Sequence, residues 1–274
     1  MLGNLFFEKR LVRSGAKIVF DFDDAIWLKD ISAGNQSLSW LKNPAKTAGI
    51  ICLSDMVFAG NKYLAVYAKQ FNQNVKIVPT TIDMNYHKKV NHLPKNKICI
   101  GWTGTSTTLK HFKTALPVLK KLKIKYGEKI FFKIICDVPF EVQSLDIKSE
   151  FWKLDKEIEQ LSEFDIGIMP LPDDIWSKGK CGFKGLQYMA LEIPAVLAAV
   201  GVNNEIIRDG INGFLASSAQ EWESKLSRLI ESKELREKTG KEGKKTIEKY
   251  YSKQSQQEKY VNHFIQLCFI NNDI

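Results

Sequence analysis

The chain's 274 residues, 44% of them hydrophobic, carry a formal net charge of +9; this length supports two modest buried cores and the composition excludes a disordered or low-complexity protein. No apolar run reaches the ~20 residues that span a bilayer, and the first residues lack the apolar core of a secretory leader. Five dispersed cysteines (Cys52, Cys99, Cys136, Cys181 and Cys268) without a C-x-x-C pair exclude a disulfide scaffold and a zinc site, so the cytoplasm is the expected setting, with peripheral contact to an anionic membrane left open by the basic charge.

In chain order, β-rich apolar runs at "KIVFDF" (17–22), "MVFAG" (56–60) and "VKIVPT" (75–80) predict three strands separated by segments of helical spacing. A polar stretch, 81–97, with Pro94 and no periodicity, marks a domain boundary. Beyond it, "ICIGWTG" (98–104), "KIFFKIICD" (129–137), "IGIMPL" (166–171) and "AVLAAV" (195–200) predict a second set of strands. Strands alternating with helices imply parallel sheets covered by helices. Trp222, Leu226, Leu229 and Ile230 share one helical face, and Tyr260, Val261, Phe264 and Cys268 another on a last helix; both are expected to pack. Three strands are few for a doubly wound domain, so the first domain is expected to be incomplete.

Three stretches carry candidate chemistry. The first is "DFDDAIWL", where Asp21, Asp23 and Asp24 close the first strand. Asp21 and Asp23 fall on one side by the two-residue period, and Asp24 on the other, able to cap the following turn. A D-x-D at a strand end is also how a phosphatase places a nucleophile and an acid, but the glycine and threonine that normally follow are replaced here by Asp24 and Ala25. The second is "GWTGTSTTLK" (101–110), a strand end followed by Gly104, Thr105 and Ser106, a turn that could present backbone N–H groups and hydroxyls to an anion. The third is "SKGKCGFKGLQYMALEIPAV" (177–196), a loop with Lys178, Lys180 and Gly182 leading into a helix from about Phe183, with Lys184 in its first turn. A lysine there opposes the helix dipole, and a bound diphosphate would offset both. The four histidines show no ligand spacing, so no metal is expected. The lysine-rich stretches 120–125 and 241–245 read as solvated helix faces, and nucleic acid is not an expected partner.

At "DFDDAIW", "FAGNKYLAVYAKQ", "VKIVPTTID", "IGWTGTST" and the long stretch from Phe164 to Ala216 the sequence resembles the GT-B glycosyltransferases of family four, the group 1 transferases that use nucleotide-activated sugars. The resemblance implies an α/β, GT-B-like chain of two Rossmann-like parallel-sheet domains, the N-terminal one incomplete: an acceptor-side domain at 1–90, a nucleotide-sugar-binding domain at 91–250, and a C-terminal helix at 251–274 that packs back toward the first. It implies transfer from a nucleotide-diphosphate sugar to a glycan or lipid-linked acceptor, with retention of anomeric configuration, no required cofactor or metal, and a place in surface polysaccharide or cell-envelope biosynthesis. Lys184 and Lys180 would carry the catalytic charge. Gly104, Thr105, Ser106, Cys181, Gly182, Phe183 and Gln187 would bind the donor, with residues 138–140 near the base, and Asp21, Asp23 and Asp24 would face the acceptor. Many relatives carry two glutamates where this chain has Gly179 and Gln187, and an arginine where it has Trp102; an amide can still bind a ribose diol, whereas Gly179 cannot replace a carboxylate. A catalytically impaired nucleotide-sugar-binding remnant is the alternative.

Overall fold

The structure is a computed structural model that describes residues 3–28, 43–92 and 96–269, so Pro94 of the polar break lies outside it. The chain divides into two compact units: residues 1–80, 174–181 and 256–274 form the first, and residues 81–173 and 182–255 the second.

The first unit opens with α1 (Phe6–Arg13), then alternates β1 (Val19–Phe22), α2 (Ala45–Leu53), β2 (Met56–Ala59), α3 (Lys62–Ala68) and β3 (Val75–Ile77). Its strands pair in parallel in the order β1-β2-β3. The middle strand is buried at all four residues, as a parallel strand covered on both faces requires. Asn61 starts α3 by accepting the Leu64 N–H at 2.9 Å, a side-chain cap that satisfies one of the helix's orphan donors.

The second unit runs β4 (Ile98–Thr103), α4 (Leu109–Lys113), α5 (Leu116–Tyr126), β5 (Ile130–Cys136), β6 (Ile147–Phe151), α6 (Glu157–Ser162) and β7 (Ile166–Met169). The chain then visits the first unit through α7 (Ile175–Lys178) and returns as α8 (Phe183–Ala190), β8 (Ala195–Ala198), α9 (Asn203–Ile206), β9 (Phe214–Ala216), α10 (Ala219–Glu231) and α11 (Lys233–Thr246). Among the described residues the six strands form a parallel sheet in the order β6-β5-β4-β7-β8-β9. Residues of α5 and α10, including Leu226, Leu229 and Ile230, pack on one face, and those of α6 and α8 on the other. Strand order therefore reverses between β4 and β7, the position at which open α/β sheets leave a crevice beyond their carboxyl ends.

Two glycines in β4 and β7 make room for aromatic rings beneath that crevice. Gly101 and Gly167 are register partners, and a Cβ on them would lie 2.1 Å from the Phe164 ring and 2.4 Å from the Tyr188 ring. Pairing between β4 and β7 is confined to Ile100 with Ile166 and Gly101 with Gly167. Further along, the Tyr188 hydroxyl accepts the Thr103 N–H at 3.1 Å and donates to the Ile168 carbonyl at 3.4 Å, bridging strands that have parted.

The last helix, α12 (Lys253–Phe269), belongs to the first unit from Gln256 onward. Tyr260, His263 and Phe264 surround the Phe58 ring with centroids 5.4, 5.7 and 5.5 Å away, and Leu267 is buried beside it. The packing stripe is thus rotated from the expected one. His263 and Leu267 replace Val261 and Cys268, which are exposed, because positions 260, 263, 264 and 267 follow the i, i+3, i+4, i+7 spacing of one helical face.

Lys133 on β5 is fully buried, with its ammonium 2.8 Å from Glu150 and 2.9 Å from Glu163; Lys148 lies 2.7 and 3.5 Å from the same carboxylates. Burial alone would raise Glu150, but hydrogen bonds from Lys133 and Lys148 outweigh it and hold the carboxyl at about 2. Burial likewise opposes, and Lys133 reverses, the shift of Glu163, which is also lowered. Carboxyls depressed in the folded state stabilise it above their unfolded values and lose that contribution as pH falls. We expect stability to hold down to about pH 5 and then to decline toward pH 2, measured as the urea midpoint against pH; a midpoint flat across that window would remove these carboxylates from the account.

Candidate functional site

The crevice of the second unit is built around α8. Gly182, its N-cap, adopts the left-handed conformation at φ 73°, and no side chain caps the helix start. A Cβ at Gly182 would lie 2.5 Å from Ile206 Cδ1, so both conformation and space require glycine. The positive end of the helix thus stays open to an anion. Lys184, one residue into the helix, lies with its ammonium 5.8 Å from the centroid of Trp102. Gly104 abuts the same indole: a Cβ there would lie 2.5 Å from the ring. The buried Trp102 is thus a floor beneath both Lys184 and Gly104, which the sequence named as separate anion candidates.

The rest of the glycine turn is occupied by its own side chains. The Thr105 N–H donates to Thr108 Oγ1 at 3.0 Å, and the Thr105 and Thr107 hydroxyls share a hydrogen bond of 2.8 Å. Ser106 donates its N–H and its hydroxyl to the two carboxylate oxygens of Asp137, at the end of β5. Burial would raise Asp137, yet the Ser106 N–H and its other hydrogen bonds hold it below the usual carboxylate range. Sequence reasoning missed Asp137, whose sole signal was an acid at a strand end.

Gln187 is buried on α8 and donates its amide to Glu157 Oε1 at 3.3 Å. The same carboxylate accepts the Trp152 indole N–H at 3.1 Å and the Tyr86 hydroxyl at 3.2 Å. Of residues 138–140, Val138 and Phe140 are half-buried against the main core and Pro139 is exposed. Phe140 sits edge-on to Phe112 at 5.5 Å and packs against the main core, because an apolar ring after a buried strand gains more by joining the core than by facing solvent.

In the first unit the acidic strand end is closed by the segment 174–181. Lys180 Nζ binds both oxygens of Asp24 at 2.9 and 3.1 Å and lies 5.1 Å from the Trp176 ring centroid. The Cys181 thiol donates to the Asp23 carbonyl at 3.0 Å, and Asn61 Nδ2 donates to the carbonyls of Gly179 and Lys180 at 3.2 and 3.1 Å. Burial pushes the Cys181 thiol up to about 12, too high for a thiolate nucleophile. Burial, then the neighbouring Asp23, raises Asp21. So Lys180 is joined to Asp24 and Cys181 to Asp23, while Lys184, Gly182, Phe183, Gln187 and the turn at 104–106 lie in the second unit.

Gly179 has a steric reason. Its backbone is helical at φ −76°, but a Cβ would lie 2.6 Å from Ala25 Cβ and 3.0 Å from Ala25 N. Gly179→Ala is expected to destabilise the chain by about 1–3 kcal/mol by overpacking, with Gly179→Glu at least as harmful. Urea midpoints check this, and an unchanged midpoint for the alanine variant would contradict so close an approach.

Residues 176–246, from α7 to the end of α11, match the family of glycosyl transferases group 1. No curated protein sequence matches the chain. Among solved structures, S. aureus TarM superposes with a TM-score of 0.69 at 15% identity, covering 91% of this chain and 50% of its own. Anabaena Alr3699/HepE, solved with UDP and glucose, gives 0.71 at 12% identity and covers 93% and 73%. The C-terminal domain of LpcC, a glycosyl transferase group 1 protein of Francisella tularensis, gives 0.51 at 20% identity and covers 62% and 98%. The chain thus spans half the length of TarM and about three quarters of HepE.

Proposed function

We propose that this chain, which has the two-sheet fold of GT-B glycosyltransferases and carries their group 1 segment at residues 176–246, moves a sugar from a nucleotide-diphosphate sugar to a glycan or lipid-linked acceptor. Retention of configuration, hexosyl transfer, independence from a metal, and a place in surface polysaccharide or cell-envelope biosynthesis at the cytoplasmic side complete the reading. The observation that carries it is the open N-terminus of α8, with Lys184 and Gly104 against Trp102 at the reversal of strand order. A helix N-terminus and a lysine fixed in advance would stabilise the charge that develops on a departing nucleoside diphosphate. UDP and glucose bound to HepE support the donor class; α-GlcNAc-glycerol and UDP bound to TarM support a hydroxylated acceptor.

A second reading, donor binding without turnover, is favoured by Gly179. Where many relatives place a carboxylate, the contact with Ala25 leaves no room for any side chain. The test is a melting-temperature panel of uridine, guanosine and adenosine diphosphate sugars, since a ligand of the native state alone raises its melting point. A donor that stabilises the chain and is consumed in the presence of acceptors supports transfer. Stabilisation without consumption selects the binding reading, and no shift with any donor overturns both.

A further inference from the structure

Gln187 donates its side-chain amide N–H to Glu157. Glu157 opens α6 at the carboxyl end of the sheet, and two large, solvent-exposed side chains bond to it, Trp152 (44% exposed) and Tyr86 (43%). Apolar rings are left in water at the ligand-binding end of a parallel sheet, around a carboxylate that a buried amide holds in place. That combination offers a flat surface and a fixed hydrogen-bond acceptor within one cluster.

We propose that Trp152 and Glu157 form a nucleoside shelf, in which a base stacks on the exposed face of Trp152 and a ribose diol donates to Glu157, positioned from behind by Gln187. The inference rests on the donor reading above and locates the nucleoside end of that donor. The indole N–H already donates to Glu157 Oε1 at 3.1 Å, which locks the ring edge-on to the carboxylate and leaves its face for stacking. A carboxylate has about four acceptor positions, and Trp152, Gln187 and Tyr86 engage three of them. Tyr86 can yield its place, because its hydroxyl also reaches the Leu154 carbonyl at 3.1 Å. Base stacking tolerates any base, since each has a π-face. The shelf therefore selects a ribonucleoside over other diphosphates, with no strong choice among bases from these two residues.

The test uses the whole chain and measures affinities for UDP, 2′-deoxy-UDP and inorganic pyrophosphate in the parent and in the Trp152→Ala and Glu157→Ala variants. Both side chains are partly exposed, and the melting temperatures without ligand verify that the variants fold. We expect Trp152→Ala to weaken UDP about tenfold or more, and Glu157→Ala to abolish the preference for UDP over its 2′-deoxy analogue. Pyrophosphate affinity should stay within twofold of the parent in both, because its contacts lie at α8. If the parent binds UDP and both variants bind it equally well, with the ribose preference intact, the shelf is wrong and the donor reading stands. A parent that binds neither UDP nor pyrophosphate overturns both.

Discussion

Lys184→Ala is expected to lower the rate of sugar transfer by about 10²- to 10³-fold, the usual cost of removing one preorganised charge-stabilising group, with little change in the melting temperature of the free chain. The two halves of this expectation have separate causes. A cation in the first turn opposes the helix dipole by about 0.3–1 kcal/mol, so alanine there costs the fold little. The charge enters the chemistry when a diphosphate arrives at the start of α8, above the Trp102 floor. Lys180→Ala should behave differently. Its ammonium is already shared with Asp24, and its loss should register in the stability of the first unit as well as in turnover. Measuring kcat/KM and the urea midpoint for both variants separates the roles. Undiminished kcat/KM in Lys184→Ala would remove α8 from the chemistry.

The largest effect on stability is expected at Lys133. Taking out one member of a buried ion pair costs about 3–5 kcal/mol, because the partner is left charged without compensation. Lys148 remains within 2.7 Å of Glu150 and 3.5 Å of Glu163, so Lys133→Met should fall at the lower end of that range. Replacing all three residues, Lys133→Met with Glu150→Gln and Glu163→Gln, removes the charges together and should recover most of the loss. Urea denaturation of the single and triple variants decides the matter. A single variant as stable as the parent would show that the network contributes nothing.

The strands named from β-rich apolar runs all form, because those runs are what a buried parallel strand needs. β6 and β9 were not legible: "IKSEF" is a polar edge strand with no apolar run, and β9 is only three residues long. The start of α8 was legible from glycine followed by an out-of-place lysine. Glu157, Trp152 and Asp137 were not, since their significance lies in partners brought together by the tertiary fold rather than by spacing. Gly179 was legible only in part. As a letter it was a missing carboxylate, while in the fold it is a place where two backbones touch.

Tyr188 has a further consequence. The β4 and β7 strands stop pairing after their two glycines, and beyond that point a phenol hydrogen-bonds between Thr103 and Ile168. The aperture between the strands is therefore calibrated by the length of one side chain, and phenylalanine would be a single oxygen too short to hold it. Because the ring of that same residue fills the hollow over Gly167, the gauge of the opening and the packing underneath are one variable. A change that retunes the entrance must also disturb the layer that supports it.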